Sequence, residues 1–197
     1  MRDTGAFVAV VGPSGAGKDT LIARARSVLD RREGDRRPVD FVRRTVTRAS
    51  DEAAEDHASL CEAEFAAAER DGLFSLTWRA HGLCYGLPAS VDETIAAGGV
   101  AVANVSRAVI PLLRERYNRV VVVNVTAPKA LLAARLAARG RETAAEIKAR
   151  LERSAEGEQV PGSVVDIDNS GTIEAGAARL AAVIRQILDP AAEHLDA

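Results

Sequence analysis

The apolar run Phe7-Val8-Ala9-Val10-Val11 enters a glycine-rich turn, Gly12-Pro13-Ser14-Gly15-Ala16-Gly17, and leaves it through Lys18-Asp19-Thr20. A strand, a glycine turn, a lysine and a helix start in this order form the Walker A arrangement. Its backbone N–H groups and helix N-terminus suit a polyphosphate, with the lysine reaching the β- and γ-phosphates. The pattern alone also fits a plain glycine turn between a strand and a helix. The flanks favour the phosphate reading, because a buried-type strand precedes the turn and Leu21, Ile22 and Ala25 give the next helix an apolar face. One position departs from the motif. Asp19 stands where a Ser or Thr hydroxyl ordinarily meets Mg²⁺, and Thr20 follows it.

Two arginine groups lie outside the loop. In Arg43-Arg44-Thr45-Val46-Thr47-Arg48, a strand would place Arg44 and Arg48 on one face and Arg43 on the other. Guanidinium forks match phosphate oxygens, so this is either a phosphate clamp or a solvated strand edge. The second group is Arg135-Leu136-Ala137-Ala138-Arg139-Gly140, with Arg150 further on. Arg135 and Arg139 are one helical turn apart, and Gly140 breaks the helix as a lid would require. Surface pairing with Glu142, Glu146 and Glu152 is the alternative. A phosphate loop flanked by two arginine groups is suited to phosphoryl transfer, where charge on the transferred group is neutralised from several sides.

The elements that must position these groups alternate. The pattern predicts strands over 7–11, 41–46, 74–78, 100–103, 120–125 and 164–167, and helices after the loop, over 58–70, from Pro128, and over 173–188. The runs at 100–103 and 120–125 are continuously apolar, as in strands buried on both faces of a parallel sheet. Alternation of this kind predicts an α/β fold, a parallel sheet with flanking helices, in one domain over 1–189. Residues 31–37 read as a charged solvated connector and 190–197 as a loose tail. Asn104, Ser106 and Arg107 follow a buried strand at its carboxyl end, where open α/β sheets bind ligands.

At 197 residues, with 47% hydrophobic and 27% charged residues, the chain can bury one good core. A formal charge of −2 gives no basis for nucleic-acid or membrane-surface binding, and no apolar run is long enough to span a bilayer. Strand 7–11 begins too early to follow a secretion signal, so a cytoplasmic protein is expected. Cys61 and Cys84 lack metal-ligand spacing and read as reduced thiols. Lys18, Lys129 and Lys148 are the only lysines, and none follows an asparagine, which removes the guanine-reading Asn-Lys-x-Asp motif of switch GTPases.

The segment from Gly72 to Pro88, with Phe74, Tyr85 and Gly86, resembles the acceptor-binding segment of guanylate kinases. The likeness runs from the P-loop through Arg135–Gly140 to Asp168-Asn169. It implies a nucleoside-monophosphate-kinase-like fold with an acceptor-binding insertion (about 38–92) and a lid (about 136–150). Two departures are specific. The carboxylate with which that family reads guanine falls at Leu76, and a second acceptor arginine is missing from Ala49-Ser50-Asp51-Glu52. A guanine left with unpaired donors would cost about 1–3 kcal/mol. In Lys18-Asp19-Thr20, Arg44–Arg48, Glu55-Asp56-His57, His81–Gly86 and Asn104-Val105-Ser106-Arg107 the chain instead resembles the ribose 1,5-bisphosphate phosphokinases, with Val105 where that family has Gly.

That resemblance implies transfer of the ATP γ-phosphoryl group to the 1-phosphate of ribose 1,5-bisphosphate, giving 5-phosphoribosyl 1-diphosphate and ADP. It implies ATP held by Gly12, Pro13, Ser14, Gly15, Ala16, Gly17, Lys18, Asp19 and Thr20, with Asn169 beside the adenine and Asp19 on Mg²⁺, directly or through water. Arg44, Arg48, His57, Tyr85, Asn104, Ser106 and Arg107 become acceptor candidates, and Arg135, Arg139 and Arg150 join Lys18 in catalysis. Bland readings stand beside some of these: a loop histidine for His57, simple packing for Tyr85, core burial for Trp78. Small-molecule partners and a monomer or homodimer are expected. A guanylate-type kinase with altered base choice and a silent binding module are the alternatives. The module is disfavoured by the intact Gly17-Lys18.

Overall fold

A computed structural model of the chain describes residues 5–29, 38–47, 57–80, 82–138, 140, 143–155 and 163–189. The connector 31–37, Glu55-Asp56, Arg48, Arg139 and the tail 190–197 lie outside the described residues, and Arg150 is described only by its place in a helix.

A five-stranded parallel sheet carries the phosphate loop. It contains β1 (Ala6–Val11), β2 (Val39–Phe41), β7 (Val100–Asn104), β8 (Val120–Thr126) and β9 (Val164–Asp168), in the order β2-β7-β1-β8-β9. The central β1 is buried along its whole length, which is why its sequence is continuously apolar rather than alternating. One sheet face packs on α1 (Lys18–Leu29) and α7 (Ile173–Leu188), where Leu21, Ala25, Leu180 and Ile184 join Val8, Val10 and Val123. The opposite face, with Phe7, Ala9, Val11 and Val122, packs on Val91 of α3 (Ser90–Ala96), on Leu113 of α4 (Ile110–Arg116), and on a second sheet.

That second sheet contains β3 (Arg44–Val46), β4 (His57–Ser59), β5 (Phe74–Ala80) and β6 (Leu83–Pro88), ordered β4-β3-β6-β5. The predicted strand 41–46 is therefore two strands in different sheets. β2 ends at Phe41 beside β7, and β3 begins at Arg44 beside β4 and β6. The predicted helix 58–70 is also divided. His57–Ser59 pairs with β3, and α2 (Glu62–Arg70) starts only after Cys61, whose Sγ accepts from the Glu64 N–H while the Glu64 carboxylate accepts from the Cys61 N–H. Both errors have one cause: pairing with a distant strand outweighed local composition. β6, α3 and α4 were not anticipated. The helix 173–188 forms with the predicted bounds, capped by Thr172.

α5 (Lys129–Ala138) and α6 (Ala144–Ala155) follow β8 and pack on each other. Among the described residues no helix is long and apolar enough to cross a membrane.

Candidate active site

The loop between β1 and α1 is held by close backbone approach. Gly12 has φ +144°, and a Cβ there would lie 2.1 Å from the Val125 carbonyl oxygen, so β8 admits only glycine. At Gly17, φ is +85° and a Cβ would lie 2.7 Å from Asn169 Nδ2. Lys18 Nζ donates to the carbonyls of Gly12 (2.9 Å) and Pro13 (3.0 Å), which sets the ammonium across the loop. α1 starts directly at this loop, so the positive end of its dipole lies there. Ser14 and Asp19 are half-buried there, and Thr20 is exposed on the helix.

Two of the expected site residues, Asn169 for the nucleotide and Arg135 for catalysis, bond to the loop backbone or to each other. Asn169, 2% exposed, donates from Nδ2 to the Ala16 carbonyl at 2.7 Å. Its own backbone carbonyl accepts from Arg135 Nη2 at 2.9 Å, and Arg135 Nη1 reaches the Gly15 carbonyl at 3.5 Å. The end of β9, the helix α5 and residues 15–17 are thus tied together. Asn169 Oδ1 is buried without a partner.

The carboxyl end of β7 meets the loop from the other side. Asn104 pairs in register with Val10, and its Nδ2 donates to Asp19 Oδ1 at 2.8 Å. Ser106 caps a short 3₁₀ turn by accepting from the Ala108 N–H. Arg107 Nη2 donates to Asn124 Oδ1 at 3.0 Å, and Asn124 Nδ2 donates to Asp166 Oδ1 at 2.7 Å. Sequence reasoning missed Asn124 and Asp166. Their signal was a polar residue interrupting the apolar runs 120–126 and 164–168 near strand carboxyl ends.

The second sheet packs one face on the main sheet. Arg44 is paired with His57, Val46 with Tyr85, Tyr85 with Trp78, and Leu76 with Leu87. Directly paired residues share a face, as do alternate residues along a strand, so all of these project together. The face is the one packed toward the main sheet, since Trp78 and Leu87 are buried in the core with Phe7 and Val11, and Leu76 and Tyr85 pack against it. Tyr85 stacks on Trp78 at 5.2 Å. His57 is 8% exposed, with Nδ1 buried and unpartnered, while Arg43 donates to its backbone carbonyl at 3.1 Å. Among the described residues no hydrogen bond or ion pair engages the Arg44 guanidinium. The opposite face packs on α2, where Glu69 accepts from Thr77 and Arg79. The structure thus gathers Lys18, Asp19 and Asn104 at the loop and sets Arg44, His57 and Tyr85 on one face of the second sheet, and it places Asn169 and Arg135 as braces of the loop.

No family model matches the chain. A ribose 1,5-bisphosphate phosphokinase PhnN of Chelativorans sp. (strain BNC1) is 49% identical over 183 residues, which is 92% of this chain and 86% of the relative. The protein of that name from Brucella melitensis biotype 2 (strain ATCC 23457) is 52% identical over 171 residues, 87% of each chain. A crystal structure of guanylate kinase from Anaplasma phagocytophilum superposes with a TM-score of 0.59 at 16% identity, over 95% of this chain and 88% of that one, and so shares the fold. By these identities over nearly its whole length, the chain belongs to the ribose 1,5-bisphosphate phosphokinase (PhnN) family.

Proposed function

We propose that the protein transfers the γ-phosphoryl group of ATP to the 1-phosphate of ribose 1,5-bisphosphate, giving 5-phosphoribosyl 1-diphosphate and ADP. Family membership supports the acceptor. The observation that carries the reading to this chain is the shared face of the second sheet. It carries the guanidinium of Arg44, the imidazole of His57 and the phenol of Tyr85 together with Leu76, the position at which the resemblance to guanylate kinases sets the guanine-reading carboxylate.

An oxygen of the acceptor 1-phosphate forms the new bond to the γ-phosphorus, and the bond from that phosphorus to the β–γ bridging oxygen breaks, leaving ADP. A phosphate monoester has its second pKa at ~6, so the attacking oxygen is already ionised and no general base is required. Lys18 and the N–H groups of the loop take up charge on the β- and γ-oxygens. Arg44, His57 and Tyr85 hold the acceptor phosphates, with Arg48 joining Arg44, and Ser106 and Arg107 are further acceptor-binding candidates. The second sheet serves within the acceptor-binding region (about 38–92), and residues of about 136–150, from the end of α5 into α6, serve as the lid that carries Arg139 and Arg150.

The donor set at Asp19 fits Mg²⁺. This cation takes one or two carboxylates and keeps several waters, and one Asp19 oxygen lies free of protein partners among the described residues. Mg²⁺ bound there neutralises phosphate charge. ATP and a divalent cation in a small-molecule kinase fit the cytoplasm.

The test is product formation from MgATP with ribose 1,5-bisphosphate and, in parallel, with GMP, detecting 5-phosphoribosyl 1-diphosphate and GDP directly. Preference for the bisphosphate is expected. Preference for GMP would refute the reading in favour of a guanylate kinase.

A further inference from the structure

We infer that Asn104 is a positioning residue for the nucleotide's cation: it fixes the carboxylate of Asp19 so that the second oxygen is presented to the metal. The inference rests on the P-loop being the MgATP site, and it moves Asn104 out of the acceptor site.

Three observations carry it. Asn104 Nδ2 lies 2.8 Å from Asp19 Oδ1, the only side-chain partner of Asp19 among the described residues. A carboxylate only accepts, so chemistry fixes which end of the amide faces it. Asn104 is itself pinned at the level where β1 becomes the phosphate loop. It pairs with Val10, and the next residue, Val105, donates its N–H to the Val10 carbonyl at 3.0 Å. Thirdly, Asp19 stands at the position of the metal-binding hydroxyl of a Walker A helix. A carboxylate there has a further torsion and two equivalent oxygens, so it needs an external hold to present one of them. A neutral amide provides that hold without cancelling the negative charge, whereas a Lys or Arg would compete with the cation. Outer partners of metal ligands act in this way throughout metal sites.

The readout is nucleotide affinity by calorimetry, measured with ADP in EDTA and with ADP plus Mg²⁺, so that the gain in affinity from the metal is isolated from turnover. In the wild type Mg²⁺ tightens ADP. In Asn104→Ala that gain is expected to fall about 10-fold or more, with the affinity in EDTA unchanged. Asn104→Lys, which keeps a donor but supplies a charge, should lose the gain as well. In an Asp19→Asn background, Asn104→Ala should change nothing further, which a general packing defect would not reproduce. If Asn104→Ala keeps the gain, or weakens ADP equally with and without Mg²⁺, the inference is overturned. The same holds if only the KM for the acceptor rises. A wild type that binds ADP equally in EDTA and Mg²⁺ overturns the MgATP-site reading, and this inference with it.

Discussion

Replacing Asn169 by alanine separates two roles for the residue, a brace of the phosphate loop and a reader of adenine. The side chain is 2% exposed and donates to the Ala16 carbonyl at 2.7 Å. Its backbone bonds, N–H to the Thr126 carbonyl and carbonyl from Arg135, survive the substitution. What is lost is one buried hydrogen bond, with the Ala16 carbonyl left short of a donor, at about 1–3 kcal/mol. Asn169 Oδ1 is already buried without a partner, so deleting it returns part of that cost. The expected net destabilisation is about 1–2 kcal/mol, or about 2–8 °C in Tm for a domain of this size. Asn169→Asp should be worse, because it sets a carboxylate oxygen against the Ala16 carbonyl. Urea and thermal unfolding give the stability. Binding of ADP, GDP and IDP gives the base preference, and all three should weaken together as the loop slackens. Unchanged stability with a lost preference for adenine would refute the brace and restore the residue to the base.

Gly12→Ala drives a Cβ to 2.1 Å from the Val125 carbonyl oxygen at φ +144°, adding overpacking of about 1–3 kcal/mol to a backbone strain of similar size. Urea unfolding should show a loss of several kcal/mol, with ADP binding lost; a variant of wild-type stability would contradict the close approach of β8. Asp92 accepts from Arg116 and from the Tyr117 hydroxyl. Burial pushes its carboxyl up, but these hydrogen bonds outweigh that effect and hold it below the ordinary carboxylate range. A lowered folded value means stability fully present above the unfolded pKa and lost as the pH falls through the folded one. Asp92→Asn should therefore cost about 0.2–1 kcal/mol at pH 7, the pair being partly exposed, and the difference from wild type should vanish in strong acid. A constant difference at all pH values would mean that the effect is packing rather than charge.

The phosphate loop, its strand and its helix were legible because every signal they need lies within about twenty consecutive residues: a buried apolar run, glycines at fixed offsets, a lysine and a helix start. The same holds for β7, β8 and α7, whose apolar runs or helical stripe specify them wherever they dock. Leu76 was legible only as a departure from a resembled family. The register alone sets it on one face with Tyr85, Trp78 and Leu87. Arg43 and Arg44 could not be sorted by alternation within one strand, because the chain changes sheets between Phe41 and Arg44.

The remaining distinctions belong to the tertiary structure. Asn104 reaches Asp19 across 85 residues, and Asn169 reaches Ala16 across 153. Nothing in the composition of either segment announces such a pair. Sheet order creates these contacts by laying β7 on one side of β1 and β8 with β9 on the other, so that three strand ends converge on one loop. The sequence by itself determined that a phosphate site exists and which family the chain resembles, since these depend on local backbone chemistry. Which polar residues stand beside that loop and which share one face of the second sheet was decided by strand order and register, where one step of register reverses the face a side chain occupies.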